Sequence, residues 1–234
     1  MMHASFSTRT GDPAACVFCA ELQPLGEPAQ TGPEDLPVYA RILAKNDGLF
    51  LMPTLGCFVK GYLLLSTVNH YVSLVACPDG IVGQVEHALE RLRGHFRERM
   101  GSGMLFFEHG TVSDQTLSSA SIFHFHIHLL PVNENLWERV GAQCRFRMLE
   151  IDSLARVRDI VRERGISAYF LLGDWDGRMY LADCSDTGFH SQFLREVLYG
   201  YYFGGSGSEA WNWRKAPFYE QMRQTKKLFS GVTL

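Results

Sequence analysis

The sequence predicts an α+β fold in which an antiparallel β-sheet is crossed by one long helix. Five short apolar segments bounded by turn residues predict strands, and a longer segment between the third and the fourth has apolar residues at helical spacing. The predicted strands are 38–43, 48–52, 57–66, 101–109 and 121–131. The resulting order β-β-β-α-β-β is typical of a helix packed on an antiparallel sheet.

The helix is predicted by an apolar stripe that begins after Pro78 and has arginines on its opposite face. The stripe consists of Ile81, Val85, Ala88, Leu89, Leu92 and Phe96. A second set of elements follows residue 131. We expect a helix at 152–164, a hairpin of strands 168–172 and 178–182, and helices at 190–203 and 211–229.

Composition restricts the classes of function. The chain has 234 residues, a formal net charge of −3 and 46% hydrophobic residues, as in ordinary soluble globular proteins. Because no long basic run is present, we expect no binding to duplex nucleic acid. No apolar run approaches the roughly 20 residues of a membrane span, and the first residues lack the apolar core of a signal peptide. We therefore expect a cytoplasmic protein without a membrane partner.

The six cysteines do not suggest a disulfide framework, since only Cys16 and Cys19 are closely spaced. In a reducing compartment, a C-x-x-C pair is half of a zinc site or a redox motif. This pair is therefore a candidate for metal binding.

The most unusual stretch of the sequence has three histidines at alternate positions and reads S-I-F-H-F-H-I-H-L-L-P at 121–131. Alternation along a strand places His124, His126 and His128 on one face, with apolar residues on the other. Three adjacent groups that titrate near neutrality repel one another when protonated, so this pattern favours chemistry or a metal over a half-buried strand.

Two uses of the three histidines compete. Neutral imidazoles can bind zinc as a His₃ set, or one can attack phosphorus while its neighbours position it and handle protons. Ligands at alternate positions of a strand spread over about 13 Å, which strains a single tetrahedral site. The geometry therefore favours the nucleophile.

The motif at 124–130 resembles the signature of the histidine triad (HIT) family, His-φ-His-φ-His-φ-φ with φ apolar, without a departure. Three further features are similar to the family. Ser121 stands where its phosphoramidase branch has a serine, the Cys16 and Cys19 pair resembles its zinc-carrying members, and 61–70 matches its Gly-His-x-apolar strand that ends in a histidine. Tyr62 stands at the histidine of that strand. The resemblance covers about residues 16 to 131.

The resemblance implies hydrolysis or nucleotidyl transfer at the α-phosphate of a nucleotide substrate, of the dinucleoside polyphosphate or nucleoside phosphoramidate type. It implies that His126 is the nucleophile and forms a nucleotidyl-histidine intermediate. His128 would contact the phosphate and protonate the leaving group, and Ser121 would hydrogen-bond the leaving atom. We expect His124, Tyr62 and Glu108 near the substrate.

The resemblance also implies a structural zinc ion, with a Cys₂His₂ ligand set. The ligands would be Cys16, Cys19, His70 and His124. His109 is an alternative ligand in place of one of the two histidines, because it lies on the strand expected next to the triad.

We expect a mobile N-terminus at 1–15, a HIT-like catalytic domain at 16–145 and a C-terminal α+β or helical extension at 146–234. Smaller family members form homodimers, and an extension of this length could replace the second protomer. Arg195 and Arg214 of the extension are candidates for phosphate binding, although ion pairs on helix surfaces are favoured for both.

Two other classes of function stay open. One is a zinc-stabilised nucleotide-binding or adaptor module without turnover. The other is a metallohydrolase that carries zinc on the triad itself.

Overall fold

The computed structural model describes residues 16–22, 41–112, 122–144, 147–185, 189–204 and 209–234. Within them it shows one eight-stranded sheet in which every pair of neighbouring strands is antiparallel. The predicted α+β class, with an antiparallel sheet crossed by a helix, is confirmed. The N-terminal segment 1–15 lies outside the described residues, so its mobility stays a prediction.

The strands are numbered in chain order. They are β1 (Ala44–Lys45), β2 (Leu49–Pro53), β3 (Leu63–Thr67), β4 (Gly103–Thr111), β5 (His126–Val132), β6 (Leu149–Ile151), β7 (Ala168–Gly173) and β8 (Met179–Asp183). Their spatial order is β1-β2-β3-β5-β4-β7-β8-β6. The strand predicted at 38–43 is not found at 41–43, the part of it that is described, and the short β1 follows instead.

The helices are likewise numbered in chain order. They are α1 (Val17–Leu22), α2 (Asp79–Met100), α3 (Trp137–Cys144), α4 (Ala155–Arg164), α5 (Phe193–Phe203) and α6 (Tyr219–Leu228). Among the described helices, none combines the length and the apolar character that a membrane span requires.

Helix α2 is the crossing helix that the periodicity predicts. It begins after Pro78 and ends at Gly101, whose φ of 63° provides the left-handed cap that favours glycine. The predicted stripe is buried except for Ile81, which is partly buried, while Val82 is buried instead. The stripe packs on one face of the sheet together with Ile127 and Leu129 of β5.

The opposite face of the sheet carries the triad. His126 and His128 alternate with the core residues of β5, and they pair in register with Ser66 and Leu64 of β3. On the other side of β5, Phe107 of β4 pairs with His128. The triad therefore lies at the centre of the sheet, on the face opposite α2.

The C-terminal segment continues the same sheet. Strand β7 pairs with β4 along its outer edge, and β8 and β6 follow. Helix α4 lies within the predicted range 152–164 and buries Val157, Ile160 and Val161, and the predicted hairpin forms from β7 and β8. Helix α3 and strand β6 were not predicted. The division of the chain at residue 145 stays a prediction, and the sheet runs across it.

Candidate active site and metal site

The second triad histidine is oriented by the backbone of the first. Nδ1 of His126 lies 2.7 Å from the carbonyl oxygen of His124, which can only accept, so Nδ1 carries the proton and donates. The lone pair of the ring is therefore on Nε2. Burial is the main cause of the lowered pKa of His126, and the charge of Arg195 lowers it further. A neutral imidazole with a free Nε2 is the form that acts as a nucleophile.

The third triad histidine is held from two sides. Nδ1 of His128 lies 2.8 Å from the hydroxyl of Tyr62, and its ring stacks on Phe107 at 4.4 Å with an interplanar angle of 7°. Burial, followed by the charges of His126 and Arg195, lowers the pKa of His128 well below its usual value. The rings of His126 and His128 are 5.0 Å apart, so both can face one phosphorus centre.

The first triad histidine belongs to a separate cluster of metal-binding side chains. One ligand atom from each of four residues lies within 4.8 Å of the others, and no other such group occurs in the described ranges. The residues are Cys16, Cys19, His70 and His124. Cys16 immediately precedes α1 and Cys19 lies on it, whereas His70 follows β3 and His124 precedes β5, so an ion at this point would join three parts of the chain.

The spacing of the cluster fits a tetrahedral ion. Nδ1 of His124 lies 3.4 Å and 3.5 Å from the sulfur atoms of Cys16 and Cys19, and Nδ1 of His70 lies 3.3 Å from the sulfur of Cys19. With bond lengths of about 2.3 Å to sulfur and about 2.0 Å to nitrogen, tetrahedral zinc separates such ligands by about 3.5 Å. Two thiols and two imidazoles therefore match a structural zinc site in both chemistry and spacing.

Hydrogen bonding directs His124 toward the thiols. Its Nε2 donates to the carbonyl oxygen of Thr67 at 2.8 Å, which leaves the lone pair on Nδ1. Burial lowers the pKa of His124 to about 3, so its imidazole is neutral, as metal binding requires. Burial and the adjacent thiol of Cys16 raise the pKa of Cys19 to about 12, so two thiolates here need a cation to balance them.

Helix α1 links the metal cluster to the triad. Between its cysteines it carries Phe18, which is 3% exposed and whose ring contacts His124 at 5.6 Å and His126 at 5.2 Å, both edge to face. A buried ion pair of Glu21 with Arg41, and a hydrogen bond from Arg41 to Pro53, fix the other end of α1 to β2. The segment that carries the two candidate metal-binding cysteines therefore also places an aromatic side chain against the candidate nucleophile.

Of the other expected site residues, the structure brings Tyr62 to the triad but not Glu108. Tyr62 is fully buried and contacts His128, not an open surface. Glu108 lies on the α2 face, where its oxygens accept from the backbone N–H of Leu74 and the hydroxyl of Tyr169. Burial raises the pKa of Glu108 to about 8. Ser121 lies outside the described residues.

His109 is placed near the triad but not in the metal cluster. It lies on β4, one alternate position from Phe107, and its ring contacts Phe170 at 4.5 Å. Burial and the charge of His126 lower its pKa to about 4. In the part of the chain that the structure describes, the metal-binding group contains His70 and His124 and does not include His109.

Arg195, which the sequence made a candidate for phosphate binding, is buried, against the expectation for it. Surface ion pairs were favoured for both arginines of the extension, and Arg214 is indeed exposed, with its guanidinium over Trp213. Arg195, however, is 3% exposed and lies over the rings of Phe58 and Tyr62. The sequence of α5 did not indicate that Arg195 is buried beside the triad, because only the tertiary fold brings that helix there.

An antiparallel sheet crossed by one helix, with two triad histidines on β5 and the third just before it, gives the chain a HIT-like fold. Two solved structures are similar to it: a hypothetical histidine triad nucleotide-binding protein from Sulfolobus tokodaii, and a Hit-like protein involved in cell-cycle regulation from Bartonella henselae. Each match has 12% sequence identity and a TM-score of 0.34, and each covers 40% of this chain. The matches span 61% and 66% of those two chains, less than two thirds of their length. No protein-family model and no curated protein matches the sequence.

Proposed function

We propose that the protein is a nucleotide hydrolase or nucleotidyltransferase that acts at the α-phosphate of a nucleoside phosphate derivative. The observation that carries the proposal is the hydrogen bond from Nδ1 of His126 to the carbonyl oxygen of His124. It leaves Nε2 of a neutral imidazole unprotonated, beside a second imidazole whose Nδ1 faces Tyr62. The nucleotide class comes from the resemblance of the triad motif to the HIT family.

The reaction proceeds in two displacements. In the first, the lone pair on Nε2 of His126 forms a bond to phosphorus, and the leaving group departs with the bonding electron pair and takes the proton of Nε2–H of His128. In the second, water or another acceptor gives its proton to Nε2 of His128 as its oxygen bonds to phosphorus, and His126 leaves with the electron pair as the neutral imidazole. Overall, the acceptor oxygen ends on phosphorus and its proton ends on the leaving group.

Electrostatics favour an anionic substrate in this site. Both triad imidazoles are neutral at pH 7, while the buried guanidinium of Arg195 acts on each of them. No ion pair between described residues includes Arg195. A positive charge without an acidic partner close to the nucleophile lowers the cost of binding phosphate.

In this proposal the metal is zinc, and Cys16, Cys19, His70 and His124 hold it. When bound, the ion supplies a closed structural cross-link and keeps both thiols deprotonated. The backbone of His124 then presents its carbonyl oxygen to His126 in a fixed position. Ser121 is proposed to hydrogen-bond the leaving atom, as the resemblance implies.

The test is the mass of the intact protein after mixing with dinucleoside polyphosphates or nucleoside phosphoramidates. We expect an added nucleotidyl group that is absent in His126→Ala. As a matched control, His87→Ala removes a histidine of α2, on the opposite face of the sheet, and retains the adduct. Nucleotide binding without adduct or turnover would instead support the module without catalysis. Metal content lost on His126→Ala but kept in Cys19→Ser would support zinc on the triad.

A further inference from the structure

The guanidinium of Arg195 is held beside Tyr62, next to the candidate active site. Nη2 donates to the carbonyl oxygen of Gly56 at 2.6 Å, and Nε donates to that of Trp211 at 3.0 Å. Its central carbon lies 4.9 Å from the ring centre of Tyr62 and 5.3 Å from that of Phe58. These contacts fix one charged group in one orientation.

A buried cation of this kind is costly, and the fold retains it without a carboxylate. Removing a guanidinium from water costs several kcal/mol unless its donors and its charge are compensated. Two nitrogens of Arg195 donate to carbonyl oxygens and Nη1 donates to the hydroxyl of Thr54, but the described ion pairs do not include it. Its charge acts on His126 and His128 of the triad, and also on the neighbouring Tyr62 and Cys57.

Tyr62 connects Arg195 to the triad, because its ring contacts the guanidinium and its hydroxyl contacts His128. Burial raises the pKa of Tyr62, while the positive charge of Arg195 opposes the rise. The hydroxyl is buried, and among the described residues its hydrogen-bond partner is Nδ1 of His128 at 2.8 Å, so the phenol O–H donates to Nδ1; the reverse direction would leave a buried O–H without an acceptor. An Nδ1 that accepts requires the ring proton to be on Nε2.

We propose that Tyr62 and Arg195 are a positioning pair that holds His128 in the tautomer with its proton on Nε2, directed at the leaving atom of the substrate. The inference rests on the proposed function for its kinetic consequence, but the tautomer itself can be observed without substrate. It replaces the expectation that Tyr62 contacts the substrate. It also gives the C-terminal extension a role in the site, since α5 supplies Arg195.

The kinetic consequence depends on the leaving group. A leaving group that needs a proton or a hydrogen bond depends on Nε2–H of His128, whereas a stable anion departs without it. Tyr62→Phe keeps the ring and removes only the hydroxyl. Tyr202→Phe is the matched control, because Tyr202 lies beside Phe58 but donates to the carbonyl of Pro131.

The experiment compares adduct formation with adenosine 5′-phosphoramidate, whose amine needs a proton, and with the p-nitrophenyl ester of AMP, whose phenolate does not. We expect Tyr62→Phe to slow adduct formation from the phosphoramidate by on the order of tenfold or more, and that from the ester by no more than about twofold. Tyr202→Phe should leave both rates unchanged. Equal losses with both substrates, or no loss, would overturn the positioning role.

Two further measurements separate this inference from the proposed function. Long-range ¹H–¹⁵N spectra should show the Nε2–H tautomer of His128 in the wild-type protein and a mixture of tautomers in Tyr62→Phe; an unchanged tautomer would refute the pair. Arg195→Lys keeps the charge and should retain part of the activity that Arg195→Met loses. If the wild type forms no adduct with either probe, the proposed function fails, and the spectra alone decide the positioning pair.

Discussion

The carbonyl oxygen of His124 and Nδ1 of His126 are 2.7 Å apart, so a candidate metal ligand and the candidate nucleophile share one hydrogen bond. The orientation of His126 thus depends on where the backbone of His124 lies. That backbone is fixed in turn by the cluster around Nδ1 of His124 and by the bond from its Nε2 to Thr67. The candidate metal cluster and the candidate nucleophile are therefore linked through the backbone of His124.

The first prediction concerns metal removal. Cys19→Ser should lose the metal ion, lower Tm and slow adduct formation on His126, because α1 and the backbone of His124 lose their common anchor. Metal analysis, thermal unfolding and intact mass measure the three effects. Cys57→Ala is the control: its thiol is buried outside the cluster, near Thr225, so metal content should persist. A Cys19→Ser protein that keeps one equivalent of metal would contradict the ligand set.

The second prediction concerns Phe18, whose ring edge contacts both His124 and His126. Phe18→Leu keeps most of the apolar volume, so it should cost less than the about 3–5 kcal/mol typical of Phe→Ala. Metal content should be unchanged because Phe18 is not a ligand. Adduct formation should slow several-fold, since the His126 ring loses its lateral support. Unchanged kinetics would show that the ring of Phe18 only fills the core.

The third prediction concerns pH and Glu108. Its pKa is raised from 4.5 to about 8 by burial, so between these values the folded protein keeps a proton that the unfolded chain loses. The contribution of Glu108 to stability is therefore greatest below pH 4.5 and is lost as the pH rises to about 8. Glu108→Gln should remove this part of the pH dependence. Tm measured from pH 5 to pH 9 checks it, and parallel curves for the two proteins would contradict it.

The fourth prediction concerns Gly173, which pairs with Phe106 across β7 and β4. A Cβ at this position would lie 2.0 Å from Cε1 of Phe106, a buried ring that cannot move aside freely. Gly173→Ala should therefore destabilise the fold by at least about 1–3 kcal/mol. A Cβ at Gly94 of α2 meets nothing within 4 Å, so Gly94→Ala should stabilise it by about 0.5–1 kcal/mol. Chemical denaturation of both variants measures the difference.

The elements with strong local patterns could be predicted from the sequence. Helix α2 has a long stripe at one period and was expected close to its observed position, and the triad strand has strict alternation and was expected, although the described part of 121–125 is not strand and β5 begins only at His126. The elements that failed are short or lack periodicity, such as β1 with its two residues and β6 with its three. Such short strands form because they hydrogen-bond to a neighbouring strand, and no local sequence pattern indicates that pairing.

The site residues that belong to a sequence motif could be predicted. Those whose position depends on strand register could not. Alternation places Phe107 and Glu108 of β4 on opposite faces, but only the pairing of Phe107 with His128 shows which face the triad shares. Glu108 therefore lies in the core on the α2 side. Arg195 reaches Tyr62 from a helix 133 positions later in the numbering, a contact with no local signal in the sequence.

The arrangement of the sheet also limits how the protein can associate with itself. Strand β7 occupies the outer edge of β4, and among the described residues the sheet ends in β1 on one side and β6 on the other. These terminal strands are two and three residues long, so they present few unpaired backbone groups to another chain. If two copies form a dimer, we expect them to meet through side-chain surfaces, and the fold is protected against growth by strand addition.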